Sequence, residues 1–307
     1  MLQRKAAVEV SGPSARKRPE PDARGRRAFT MVVCVELQAI KPSEKIMQSM
    51  ILNVSSFGAF QIVLKFQGIE LATGTAFFAG VGNRVLLVTN KHNVLGRNIS
   101  TGECLDKKNA AVPDEVSVLI PITQKEGEGF TCSSWQWYTI PLYTGPEKTT
   151  PAWVEHPDAE VDLVGFKFLP PEITVKNLVF PADGPELPLE ICNRVNVIGF
   201  PFGLSTDNFP IWSTGYTASE PAIDVNGKPL MYIDCRTRQG QSGSPVVRVF
   251  HPGETVTMDG KTYAAKQQQV FLLGIYSGRV NPQSDIGMVW KKRAIVELFL
   301  RAQENDS

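Results

Sequence analysis

Alternation of apolar and polar positions is the first signal in the chain. Residues 60–66 place Phe60, Ile62, Leu64 and Phe66 on one face, the period-2 pattern of a half-buried strand. Gly74-Thr-Ala-Phe-Phe78 and Arg84–Thr89 read as the arms of a hairpin that turns at Gly82-Asn83. Further strands are expected over 115–120, 135–142 and the second half of 159–168, then over 193–200, 210–219, 230–235, 245–250, 268–277 and 286–289. Helical spacing occurs twice, as a short leading helix over 43–50 and as a terminal helix over 291–302 with Ile295 and Phe299 on one face. Leu169-Pro-Pro171 breaks the pattern, and a linker is read from there to about Leu187. Many short strands in two sets, closed by one helix, predict two packed β-barrels or a sandwich.

Composition refines this picture. A chain of 307 residues can bury one large or two modest cores. No run of apolar residues reaches membrane-spanning length, and no secretory leader is visible, so a cytoplasmic protein without membrane contact is expected. The five cysteines (Cys34, Cys104, Cys132, Cys192 and Cys235) are widely spaced and lack Cys-x-x-Cys pairs. This argues for reduced thiols and against a disulfide framework or a structural zinc, and no cofactor or metal is expected.

Net charge is only +1, so nothing global favours nucleic acid. The charge is nevertheless uneven. Residues 1–30 hold eight basic side chains against three acidic ones, net +5, which leaves −4 for the remainder. Mixed with Pro and Gly, this reads as a disordered basic tail over residues 1–42. That tail is the one segment suited to a nucleic acid or a partner.

Chemistry is suggested by Arg238-Gln-Gly-Gln-Ser-Gly-Ser-Pro-Val-Val247. Glycines flanking Ser242 permit a tight turn that pushes out the hydroxyl and gathers several N–H groups. Such a serine needs a base at hydrogen-bond distance. There are three histidines: His92, His156 and His251. His92 follows a buried strand and is the best placed, while His156 and His251 lie in Pro-rich or turn contexts and read as surface residues. An acid must then fix the imidazole tautomer. Asp162, flanked by Val161, Leu163 and Val164, is the strongest candidate, with Asp158 and Asp234 behind it.

Val88-Thr-Asn-Lys-His92, Asp162-Leu-Val-Gly-Phe166 and Gly240-Gln-Ser-Gly-Ser-Pro245 together resemble the signatures of chymotrypsin-fold, trypsin-like serine peptidases of bacterial type. The likeness runs over residues 58–290. Gly74-Thr-Ala-Phe77, Val197-Ile-Gly-Phe-Pro201 and Gly274-Ile-Tyr-Ser-Gly278 fit the same family. Ser-Gly-Ser-Pro in place of Ser-Gly-Gly-Pro is reminiscent of glutamyl endopeptidases. The resemblance implies two antiparallel Greek-key β-barrels, one over residues 43–172 and one over residues 173–307 with the terminal helix.

It further implies a serine endopeptidase acting on protein or peptide substrates. Ser242 would be the nucleophile, His92 the base, Asp162 its orienting acid, and the Gly240 and Ser242 N–H groups the oxyanion hole. Arg236 would stand at the base of the specificity pocket, with Ser277, Gly278 and Arg279 along its wall and with Arg238 and Arg279 able to reinforce a preference for acidic side chains. Gln241 departs from the family's aspartate before the serine, which removes the ion pair used in activation by N-terminal cleavage. The competing expectation is a catalytically silent barrel that binds peptides along the 274–278 edge.

Overall fold

The computed structural model describes residues 52–304 except 100, 108–109, 127–128, 171–177 and 259, together with 6–9, 32–35 and 49–50. The expected basic tail lies outside the described residues apart from Ala6–Glu9 and Val32–Val35, whose backbones pair as antiparallel strands. The leading helix expected over 43–50 is likewise undescribed except for Ser49–Met50, which pairs with Cys34 and Val33.

The first half builds one sheet. Its strands are β1 (Ala59–Phe66), β2 (Ile69–Val81), β3 (Arg84–Thr89), β4 (Glu115–Glu126), β5 (Gly129–Pro141), β6 (Val154–Glu155), β7 (Val164–Phe166) and β8 (Val179–Pro181). They run in the order β6-β7-β3-β2-β1-β4-β5, with β8 against β2. A short helix, α1 (Lys91–Leu95), follows β3. The alternation in β1 holds for Phe60, Ile62 and Leu64, which enter a core with Phe57, Phe78, Leu87, Val118 and Phe166, but Phe66, expected on the same face, is exposed beyond a register shift at Leu64/Lys65. The β2–β3 hairpin turns at Gly82, whose φ of 58° favours glycine.

The second half closes into a barrel. Its strands are β9 (Arg194–Gly199), β10 (Ile211–Thr217), β11 (Leu230–Asp234), β12 (Pro245–Phe250), β13 (Gln269–Arg279) and β14 (Ile286–Lys291). Their order is β9-β10-β11-β14-β13-β12, with β12 returning to β9. Val195, Val197, Met231, Ile233, Val246, Leu273, Tyr276 and Val289 fill its interior. Proline opens β12, where its missing N–H costs no ladder bond.

Two further features differ from expectation. Among the described residues, hydrogen bonding in the first half runs from β6 to β5 without returning, and the closed ladder is that of the second half. The stretch read as a linker contains β8, which pairs in parallel with β2 through Val179–Phe78, Phe180–Ala79 and Pro181–Gly80. Three residues flanked by prolines are too short for a periodic signal, and a tertiary contact supplies the pairing.

A third core joins the halves. Ala59, Phe77 and Val88 from the first meet Ile198, Val247, Ile275 and Trp290 from the second, and α2 (Lys292–Glu304) covers them with Ile295, Leu298, Phe299 and Ala302. These four recur at i, i+3, i+4 and i+7, the apolar stripe of a docked helix. Leu298 is fully buried. Leu298→Ala should therefore cost about 2–5 kcal/mol, read as a lower denaturation midpoint with native-like circular dichroism below it.

Candidate active site

β3 delivers His92. The strand ends at Thr89, and Asn90 stays extended at φ −77°, ψ 146° before α1 begins. Gly96 ends α1 in the left-handed region at φ 60°, where any Cβ would lie 2.6 Å from the Pro113 ring. His92 thus sits on the first turn of a short helix bounded on both sides. Asn90 Nδ2 donates to the Asp162 carbonyl at 2.8 Å, which ties the start of this helix to the segment before β7.

The carboxylate of Asp162 holds His92 twice. The His92 backbone N–H donates to Oδ1 at 2.8 Å, and ring Nδ1 meets Oδ2 at 2.6 Å. With Nδ1 engaged, Nε2 is the ring nitrogen left for chemistry. Ser277 Oγ donates to the same Oδ2 at 2.5 Å. Burial alone would push the Asp162 carboxyl up. The neighbouring His92 charge and the hydrogen bonds from His92 and Ser277 outweigh it, so the group is held below the ordinary carboxylate range. Of the weaker candidates, Asp158 is taken by Lys228 at 2.7 Å and Asp234 is exposed.

Ser242 lies on the turn the glycines permit. Gly240 and Gly243 have φ of 93° and 88°. A Cβ at Gly243 would lie 2.0 Å from the Thr75 carbonyl oxygen, and one at Gly240 2.3 Å from that of Phe200, so both positions require glycine twice over. Thr75 of β2 grips this turn: its N–H donates to Ser242 O at 2.9 Å and its Oγ1 to Gly240 O at 2.8 Å. Asn93 Nδ2, next to His92, donates to Ser242 O at 3.3 Å. The Gly240 and Ser242 N–H groups donate to no protein acceptor among the described residues.

Gln241 is fully buried. Its Oε1 accepts from Arg238 N–H at 2.7 Å, and its Nε2 donates to Ser213 at 2.9 Å. The turn is therefore braced from within by a neutral side chain.

The Ser242 hydroxyl donates to the Ser277 carbonyl at 3.0 Å. His92 and the Ser242 hydroxyl share no hydrogen bond among the described residues. What connects them is Ser277, which bonds Asp162 through its side chain and Ser242 through its carbonyl. Because β12 begins at Pro245, opposite Ile275, residues 277–279 of β13 have one unpaired edge beside Ser242. On its other side, Gln239 and Phe202 line a recess of about 360 Å³ with residues 70–73 of β2. A recess of about 430 Å³ around Arg194, Trp212 and Gln268 involves none of the residues just described.

The arginines do not fill a pocket base. The Arg236 side chain is 80 % exposed and reaches Asp285 at 3.8 Å. Arg238 donates to the same carboxylate at 3.1 Å and to Thr237 O at 2.7 Å, and Arg279 donates to Pro282 O at 2.8 Å. Arg236 follows a buried Cys235 and precedes a buried Thr237, and this alternation turns it outward. His251 is exposed as expected, but His156 is not: it is buried with Nε2 on Glu297 of α2 at 2.9 Å. Sequence reasoning missed Asn93 and the grip of Thr75. The latter lies in a motif already noted, but only tertiary contact gives it a task.

An antiparallel barrel with an imidazole–carboxylate pair linked through Ser277 to a glycine-bracketed serine carries the groups of a serine hydrolase type of site. Residues 74–258 match the family described as trypsin-like peptidase domain. The chain belongs to this trypsin-like serine peptidase family. No curated protein matches it. Similar solved structures include the MamO protease domain from Magnetospirillum magneticum (16 % identity, covering 79 % of this chain and 96 % of that one, TM-score 0.44). A thermostable serine protease, AL20, from an extremophilic microorganism is similar at 12 % identity, 81 % and 98 % coverage and TM-score 0.45. The active form of the Rv3671c protease from M. tuberculosis is similar at 17 % identity, 80 % and 81 % coverage and TM-score 0.41. At these scores the family match, and not the structural likeness, carries the assignment.

The Asp162 environment has a consequence for stability. A carboxyl whose folded pKa lies below its unfolded value, about 3.9, stabilises fully above that value and loses its contribution as pH falls through the folded pKa. The difference in unfolding free energy between wild type and Asp162→Asn should be greatest near neutrality and shrink below about pH 4, measured by denaturant titration across pH.

Proposed function

We propose that the protein is a serine endopeptidase that cleaves peptide bonds through an acyl-enzyme, with Ser242 as nucleophile, His92 as general base and then acid, and Asp162 as the residue that orients His92. The observation that carries this reading is the linked set Ser242–Ser277–Asp162–His92, set beside two N–H groups that have no protein acceptor among the described residues. Catalysis requires the Ser242 hydroxyl to leave the Ser277 carbonyl for His92 Nε2 as substrate binds. Resting-state hydrogen bonds of this kind are commonly long or misaligned and tighten with substrate.

The steps then follow from the chemistry of the groups. Ser242 Oγ attacks the scissile carbonyl carbon while His92 Nε2 takes the proton. The N–H groups of Gly240 and Ser242 receive the developing oxyanion. Asp162 remains ionised and stabilises the imidazolium. Protonated His92 gives its proton to the leaving amine, and a water activated by the same nitrogen hydrolyses the ester. An extended substrate is aligned by pairing with the open edge of residues 277–279. The unpaired cysteines at 104, 132, 192 and 235 support residence in a reducing compartment such as the cytoplasm.

Ser242→Ala and His92→Ala should each lower kcat/KM for peptide cleavage by roughly 10³-fold or more; Ser242→Ala should leave the unfolding midpoint near that of wild type, whereas His92→Ala, which takes the ring donor from the buried Asp162 carboxylate, should lower it. A fluorophosphonate probe should label Ser242 in the folded wild type and leave Ser242→Ala unlabelled. An unlabelled wild type would leave a peptide-binding barrel in place of an enzyme.

Gln241→Ala should lose two buried hydrogen bonds, about 1–3 kcal/mol. It should lower kcat more than it changes KM, because the turn it braces carries the oxyanion donors. Steady-state kinetics alongside thermal unfolding separates the two effects.

A further inference from the structure

The side chain of the residue that supplies the scissile carbonyl must enter the gap between two segments. One is the open edge of β13 at residues 277–279, and the other is the chain from Arg236 to Gly240 that leads into the turn. β14 backs this gap. Its size and chemistry therefore set which residue can precede the cleaved bond.

The gap is bridged by one side chain. At the register shift between Tyr276 and Gly278 of β13, Ser277 turns its hydroxyl to Asp162 while Tyr276 turns its own to Thr237. The Tyr276 hydroxyl is hydrogen-bonded to Thr237 Oγ1, which joins β13 directly to the segment before the turn. Its ring lies over Gly287 of β14, where a Cβ would come 2.7 Å from the ring edge. Tyr276 is 2 % exposed and Thr237 is fully buried, so both hydroxyls are joined by one hydrogen bond away from solvent. Burial pushes the tyrosine up to about 12, against the hydrogen bond from Thr237, so it stays neutral at working pH. The nearby cations are turned away: Arg236 and Arg238 share Asp285, and Arg279 bonds a backbone carbonyl.

We propose that Tyr276, braced by Thr237 and seated on Gly287, floors the specificity pocket so shallowly that the enzyme cleaves after small, uncharged residues such as alanine, serine or glycine. This rests on the endopeptidase reading and deepens it. It also replaces the acidic preference that a count back from the serine to Arg236 suggests. Tyr276 is a specificity-determining residue here because its ring occupies the volume a larger substrate side chain would need.

The test is a set of otherwise identical peptides carrying Ala, Ser, Leu, Phe, Lys or Glu before the cleaved bond, assayed with the full chain. Fluorophosphonate titration counts active Ser242 in each preparation. Wild type should turn over the Ala and Ser peptides at least tenfold faster in kcat/KM than any of the others. Tyr276→Ala should raise the Leu and Phe peptides at least tenfold relative to Ala, while Tyr276→Phe, which keeps the ring, should retain the wild-type order. A wild type that is labelled yet prefers Leu, Phe, Lys or Glu overturns the inference and leaves the endopeptidase standing. So does a labelled Tyr276→Ala with an unchanged order. A wild type that takes no label removes the endopeptidase reading itself. If Tyr276→Ala does not fold, the wild-type order decides alone.

Discussion

The candidate site depends on one close approach between the two halves of the chain. Thr75 on β2 places its N–H on Ser242 O, its hydroxyl on Gly240 O and its carbonyl against the α-carbon of Gly243, where a Cβ would sit 2.0 Å away. The same carbonyl accepts from Thr89 Oγ1 at 2.8 Å, and Thr89 is three residues before His92. One residue thus fixes the serine turn to the strand end that carries the histidine. Two glycines with positive φ are what let the backbones meet at that distance. The large apolar interface under α2 holds the halves together. The Thr75 contacts set their register to within a hydrogen-bond length.

Around that join, burial and charge oppose each other and the balance is visible. Asp162 is taken out of water, which by itself favours the neutral acid. It remains a strong anion because three donors converge on two oxygens: His92 through its backbone and its ring, and Ser277 through its hydroxyl. A buried carboxylate satisfied in this way is stiff, since moving any donor would strand charge at low dielectric. That stiffness passes to the imidazole. The neutral amide of Gln241 does a comparable task on the serine side, with one acceptor bond and one donor bond inside the fold.

How much of this could be read from the residues alone follows the range of each interaction. β3 and β12 were legible to the residue because their apolar runs are bounded by Asn, Gly and Pro within the same stretch. The glycine turn around Ser242 was legible from its own residues, whereas the contact of His92 with Asp162, 70 positions apart, came from the family resemblance and not from local pattern. β8 was not legible, because three residues beside prolines carry no period and their partner lies about a hundred positions earlier in the chain. His156 was misread for a similar reason: its Pro-rich surroundings suggest a surface, but its partner Glu297 is on α2, which covers it. Arg236 shows a further kind of failure. Counting back from the serine does not give the direction of the side chain, which is set by the buried Cys235 and Thr237 on either side.

That last error points to how recognition is divided in this protein. Main-chain groups are left open: two N–H groups at the turn and one edge of β13 offer hydrogen bonds that any extended peptide can use. Side-chain chemistry around them is instead closed off. The Tyr276 and Thr237 hydroxyls are buried and bonded to each other, and the two arginines nearest the turn lie toward a single aspartate, Asp285. A site that presents unpaired polar groups to a substrate side chain discriminates by leaving them unsatisfied when the wrong residue arrives. Here that device is absent from the gap beside Ser242 among the described residues, so discrimination at this position falls to shape, and the volume taken by one aromatic ring becomes the term that decides it.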